Sequence, residues 1–160
     1  SPDAELAFAQ QSRAARLVRA VRAASGVLGE MRTRIGTLRQ ATIQTPGMDP
    51  AWIARIEAVE ARLNELNVQM NGDRLVSSYQ EPTLPGISTR IGHATSNWST
   101  MGAPTETELE AYRIAGKAFE SVLAELRTIA EQDMPAIEAA LEAAGAGGTP
   151  GRLPDWKFEG

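Results

Sequence analysis

The stretch LVRAVRAASGVLGEMRTRIGTL, residues 17–38, decides the fold. Its apolar residues Leu17, Val21, Ala24, Leu28, Met31, Ile35 and Leu38 recur with gaps of 4, 3, 4, 3, 4 and 3. That alternation is the seam of a helix packed as in a coiled coil, because 3.5 residues per apolar step keeps one stripe facing its neighbours. The helix is predicted to run from about Asp3 to Thr42, capped by Ser1 or Asp3 with Pro2 in its first turn. Leu6 and Phe8 lie in its opening turns, and Thr45-Pro46-Gly47 stops it.

Beside the seam lies a second stripe, Arg22, Gly26, Gly29, Thr33 and Gly36. Glycine inside a helix costs about 1 kcal/mol relative to alanine. Three of them at regular spacing imply a close approach by a neighbouring backbone, room for large side chains opposite, or a ligand slot.

Working outward, the later segments carry seams of the same kind. Asp49-Pro50 opens a second helix whose seam is Trp52, Ile56, Val59, Leu63, Leu66 and Met70, and Asn71-Gly72 closes it. Residues 73–86 form an irregular stretch with two prolines, anchored by Leu75, Val76, Tyr79 and Leu84 and open to a covering or a binding role. A short third helix steps through Ile87, Ile91, Ala94, Trp98 and Met101. Thr105 and Glu108 form a capping box ahead of a fourth, seamed by Tyr112, Ala115, Phe119, Val122, Leu126 and Ile129 and more loosely by Ile137 and Leu141. Pro135 should bend or split this helix near Asp133, and Gly145 ends it.

The fold class is therefore all-α: an antiparallel up-down-up-down four-helix bundle, with long first and fourth helices and short second and third ones. Residues 1–145 make the bundle, and residues 146–160 a Gly/Pro linker with an aromatic tail. Charge agrees with the pairing of the long helices. The first carries Arg13, Arg16, Arg19, Arg22, Arg32, Arg34 and Arg39, and the fourth carries Glu106, Glu108, Glu110, Glu120, Glu125, Glu131, Asp133, Glu138 and Glu142. Flanking ion pairs of this kind select partner and orientation more than they stabilise.

Composition narrows the function classes. The 160 residues carry a net charge of −4 and no cysteine, so there is neither a disulfide framework nor a thiolate metal site. A di-iron bundle needs two Glu-x-x-His motifs, but the chain has a single histidine, His93, with no glutamate three residues before it. The same shortage denies the serines a base–orienter pair. Carboxylates such as Glu57/Glu60 or Glu106/Glu110 read as solvated helix faces. The arginines of the first helix lack the aromatic platform of a nucleic-acid site. With lysine only at 117 and 157, the narrow seams do not suit a membrane surface either. Asn97-Trp98-Ser99 matches a glycosylation acceptor but falls within the third helix. No catalytic, cofactor-binding or metal-ligating residue is nominated. The tail Leu153-Pro154-Asp155-Trp156-Lys157-Phe158 carries two aromatics that either pack back or dock on a neighbour.

Several landmarks resemble a known arrangement. They are Asn71-Gly72-Asp73, Glu81-Pro82-Thr83, Pro85 and Ile87-Ser88-Thr89-Arg90-Ile91, then Gly102-Ala103-Pro104-Thr105 with Tyr112. Asp133-Met134-Pro135-Ala136-Ile137-Glu138 leading to Gly151-Arg152-Leu153-Pro154 completes them. Together they resemble the C-terminal helical region of large bacterial exported proteins that carry a sortilin-type, BNR-repeat β-propeller upstream, often labelled glycosyl hydrolases. The resemblance implies a periplasmic or secreted location, and places any hydrolase-like activity in the propeller rather than in this chain. Ser1-Pro2-Asp3 reads as the cut edge of such a longer protein. The expected role is a non-catalytic module for packing or protein contact. Its partners would be upstream domains, another protein or a second copy, with no nucleic acid and no membrane insertion. The alternatives are a small-molecule or peptide-binding bundle, using the glycine stripe and residues 73–86, and an accessory region of a glycan-active enzyme.

Overall fold

A computed structural model describes residues 1–73, 79, 85–95, 104–146, 153 and 156–160. Among them the chain is helical, a four-helix bundle without strands. Helix α1 spans Pro2–Ile43, α2 Ala51–Asn71 and α3 Ile87–Thr95. The fourth rod comprises α4, Glu106–Thr128, a π-helical turn, Ile129–Asp133, and α5, Met134–Ala143. The long, short, short, long pattern agrees with the sequence. Trp98 and Met101, and most of 73–86, lie outside the described residues.

Local chemistry sets the helix ends. The Ala4 amide donates to Ser1 Oγ (3.3 Å), and the Ala51 amide to Asp49 Oδ1 (2.9 Å). Thr105 and Glu108 close a reciprocal capping box, each amide donating to the other's side chain at 3.0 and 3.2 Å. Gly72 and Gly145 both take φ near +77° to end their helices. After α5, the Ala146 amide donates to Leu141 O (3.0 Å) and the Gly145 amide to Glu142 O (3.1 Å), the paired bonds of a Schellman ending.

The contacts divide into two compact units. The first holds residues 1–27 and 66–124, with a core that includes Val21, Met70, Ile91 and Phe119. The second holds residues 28–65 and 125–160, with a core built from Leu28, Leu38, Ile56, Leu63, Ile129 and Leu141. The predicted seams supply nearly all of these buried positions, with Leu17, Trp52 and Tyr112 half-buried.

Helix directions are fixed inside the second unit. Arg32 bonds Asn64, while Arg39 bonds Glu60 and Glu57, so α1 and α2 run antiparallel. Arg34 pairs with Glu138, and a Cβ on Gly47, just past the end of α1, would lie 3.5 Å from Ala144 O. Both positions rise together, so α5 runs parallel to α1. This is where the structure departs from strict up-down-up-down alternation. The described third helix is short: at about 1.5 Å per residue its rise is less than half that of α2.

The fourth rod also absorbs its proline differently. Pro135 does not split it; it sits in the first turn of α5, where a missing N–H is tolerated. The widened turn precedes it, with the Met134 amide donating to Ile129 O, five residues back. The seam explains the widening. Ala115, Phe119, Val122, Leu126 and Ile129 are buried in heptad steps, and burial then resumes at Met134, Ile137 and Leu141. The step from 129 to 134 is five, where the heptad allows four. A continuous α-helix would turn Asp133, Ala136 and Ala140 inward instead.

The glycine stripe is not a close backbone approach. A Cβ at Gly26, Gly29 or Gly36 would meet nothing within 4 Å. The glycine that does admit a neighbour is Gly86, where a Cβ would fall 2.6 Å from Gly72 N and from Met70 O, seating the start of α3 on the end of α2. Alanine at Gly29 or Gly36 should therefore stabilise the protein by up to about 1 kcal/mol each. Alanine at Gly86 should destabilise it. Urea midpoints of the three variants check both signs.

Candidate functional site

The polar side chains of the second unit flank the α1 seam in an ordered way. Arg32 and Arg39 each follow a buried seam residue, Met31 and Leu38, and both reach α2. Arg34 precedes the buried Ile35 and reaches α5 from the opposite flank. One helix thus holds its two neighbours with arginines on its two edges.

The Arg34–Glu138 pair is the most buried of these contacts. Glu138 is 5% exposed, one step round the helix from Ile137 and Leu141, while Arg34 is half-exposed. The carboxylate is carried inward because the π turn rotates α5. A carboxylate at this depth gains from the guanidinium, which offsets part of the cost of its desolvation.

Arg62 of α2 makes a second bridge, which the sequence reading did not single out. Its Nε donates to Glu125 Oε1 (2.5 Å) and its Nη1 to Asp133 Oδ2 (2.9 Å). The Glu125 hydrogen bond is the main cause that raises the Arg62 pKa above its ordinary value. The only signal in the sequence is an arginine next to the seam residue Leu63. In the first unit, Arg113 bonds Glu110 on its own helix and holds that exposed carboxyl below its usual range.

The open space at the glycines belongs to a surface groove of about 370 Å³. Gly29, Arg32, Thr33 and Gly36 of α1 form one wall, and Glu60 and Asn64 of α2 the other, over Ile35 and Leu63. Its polar groups are partly engaged already: Thr33 Oγ1 donates to Gly29 O, Arg32 donates to Asn64, and Glu60 accepts from Arg39. Trp52 is covered by Arg55, whose guanidinium carbon stands 4.1 Å from the ring centroid.

The tail is exposed. Leu153, Trp156 and Phe158 are 91, 74 and 80% accessible, and the two rings meet edge to face at 6.4 Å. His93 lies on the exposed side of α3. Among the described residues, no group of three or more His, Cys, Asp or Glu side chains converges as a metal site would require. No described helix is long and apolar enough to cross a membrane.

No protein-family model, curated protein or solved structure matches the chain.

The buried pair yields a direct prediction. Arg34→Met removes the guanidinium from a buried carboxylate and should lower stability by about 3 kcal/mol, the lower end for breaking a buried pair because Arg34 is half-exposed. Arg34→Met with Glu138→Leu should recover most of that loss. Chemical denaturation of both singles and the double closes the cycle, and a double mutant as unstable as Arg34→Met would contradict it.

Proposed function

We propose that this chain is a non-catalytic helical module that docks on another protein surface, as the C-terminal part of a larger exported protein. The observation that carries the reading is the tail. Trp156 and Phe158, like Leu153, stand exposed instead of packing into the core of their unit. Aromatic side chains of this kind bring large apolar area to an interface at small entropic expense. The charged side chains of the second unit support the same reading, because Arg34, Arg39 and Arg62 are engaged in holding helices together.

The docking partner we favour is the domain that precedes this chain in its parent protein. The landmarks from Asn71 to Pro154 suggest a sortilin-type β-propeller there, with any glycan-directed activity located in it. A second reading rests on the groove at Gly29 and Gly36, which has room for a small molecule or an extended peptide.

Sedimentation velocity of this chain titrated with the preceding domain tests the first reading. Saturable association is expected, with loss of at least about tenfold in affinity for Trp156→Ala/Phe158→Ala, the scale of a hot-spot aromatic pair. Association that ignores those substitutions would overturn the docking role, and turnover of a glycoside by this chain alone would overturn the non-catalytic one. Affinity lost in Gly36→Leu but not in the tail variant would favour the groove.

A further inference from the structure

The extra residue in the fourth rod could in principle be accommodated at more than one place along it. A π turn amounts to one inserted residue in an α-helix. The seam requires that residue somewhere between the phase of Phe119 and Val122 and the phase of Ile137 and Leu141. Exchanging Ile129 for Ala130 at the seam would move it by one step. The apolar pattern alone therefore leaves a local choice.

Arg62 restricts that choice. Of its two partners, Glu125 precedes the widened turn and Asp133 is the turn's last residue; they are eight residues apart. In a continuous α-helix, residues eight apart differ by about 80° around the axis. With one residue absorbed in the π turn they stand as residues seven apart do, only about 20° from alignment. One guanidinium reaches both carboxylates because the extra residue lies between them. Moving it ahead of Glu125 swings the two apart and breaks one arm of the bridge.

We propose that the π turn is a one-residue slip point in the fourth rod and that Arg62 is the positioning residue that confines it between Glu125 and Asp133. Without the bridge, helical register in 122–134 exchanges between neighbouring placements of the extra residue, while α1 and α2 are unaffected. This is a conformational device distinct from the docking tail.

The test compares two backgrounds by amide hydrogen exchange. In the natural chain, Arg62→Met should accelerate exchange of the amides in 122–134 by about tenfold or more, as a locally opened segment does. The second background removes Gln132 and carries Pro135→Ala. Its fourth rod should be a continuous α-helix with the seam in phase and no residue left to slip. There, Arg62→Met should leave exchange in the same segment within about twofold. Equal acceleration in both backgrounds would mean that Arg62 only adds ion-pair stability, and would overturn the proposal; so would the absence of acceleration in the natural chain. Glu125→Gln, which loosens one arm and keeps the side-chain shape, gives the same comparison should Arg62→Met fail to fold.

Discussion

The phase of the apolar seam on the fourth rod governs this structure. Leu126 and Ile129 close one run of heptad steps, and Met134, Ile137 and Leu141 resume it one residue late. A helix that ignored this delay would turn Asp133, Ala136 and Ala140 inward and carry Met134 and Leu141 away from the core. Burial of an aliphatic side chain is worth about 1.5–3 kcal/mol, and several are kept on the seam by one widened turn. The backbone yields and the seam is kept. That turn also rotates Glu138 inward to Arg34 and aligns Glu125 with Asp133 under Arg62.

The ion pairs follow from the packing and are unequal in weight. Arg113–Glu110 lies on one exposed helix face, where such contacts contribute little. Arg39 and Arg62 are about one-third exposed, and each holds two carboxylates across helices, which fixes register better than a single pair does. Among the described ion pairs, Arg34–Glu138 has the most deeply buried carboxylate, and loss of the guanidinium there weighs most on stability.

Most of the fold was legible because its signals are local. The heptads named the buried face of every described helix, and Asp49, Thr105, Gly72 and Gly145 marked ends through chemistry confined to a few residues. The direction of the last rod was not legible, since it depends on how far the short third helix travels rather than on any pattern within the fourth. The gap of five between Ile129 and Met134 is present in the sequence, but Pro135 beside it is an equally good signal for a break. Of the three readings the glycine stripe left open, the structure excludes the close backbone approach and places an open groove at Gly29 and Gly36. Of the candidate site, the aromatic tail was visible as a motif, but its exposure was not. Arg62 was missed because its partners lie in distant sequence and meet only through the π turn.

The central claim is that α1 and the end of the fourth rod run in the same direction with their C-terminal ends together. The chain has no cysteine, so a disulfide tests it cleanly. A Cβ at Gly47 would lie 3.9 Å from Ala144 Cβ, within the range a disulfide bridges. Oxidised Gly47→Cys/Ala144→Cys should form an intramolecular bond in high yield and melt at a higher temperature than its reduced form. Failure of this pair to cross-link in the folded monomer, with efficient cross-linking instead in a companion variant that pairs Ala144→Cys with a cysteine in the first half of α1, would show the fourth rod to be antiparallel and contradict the account.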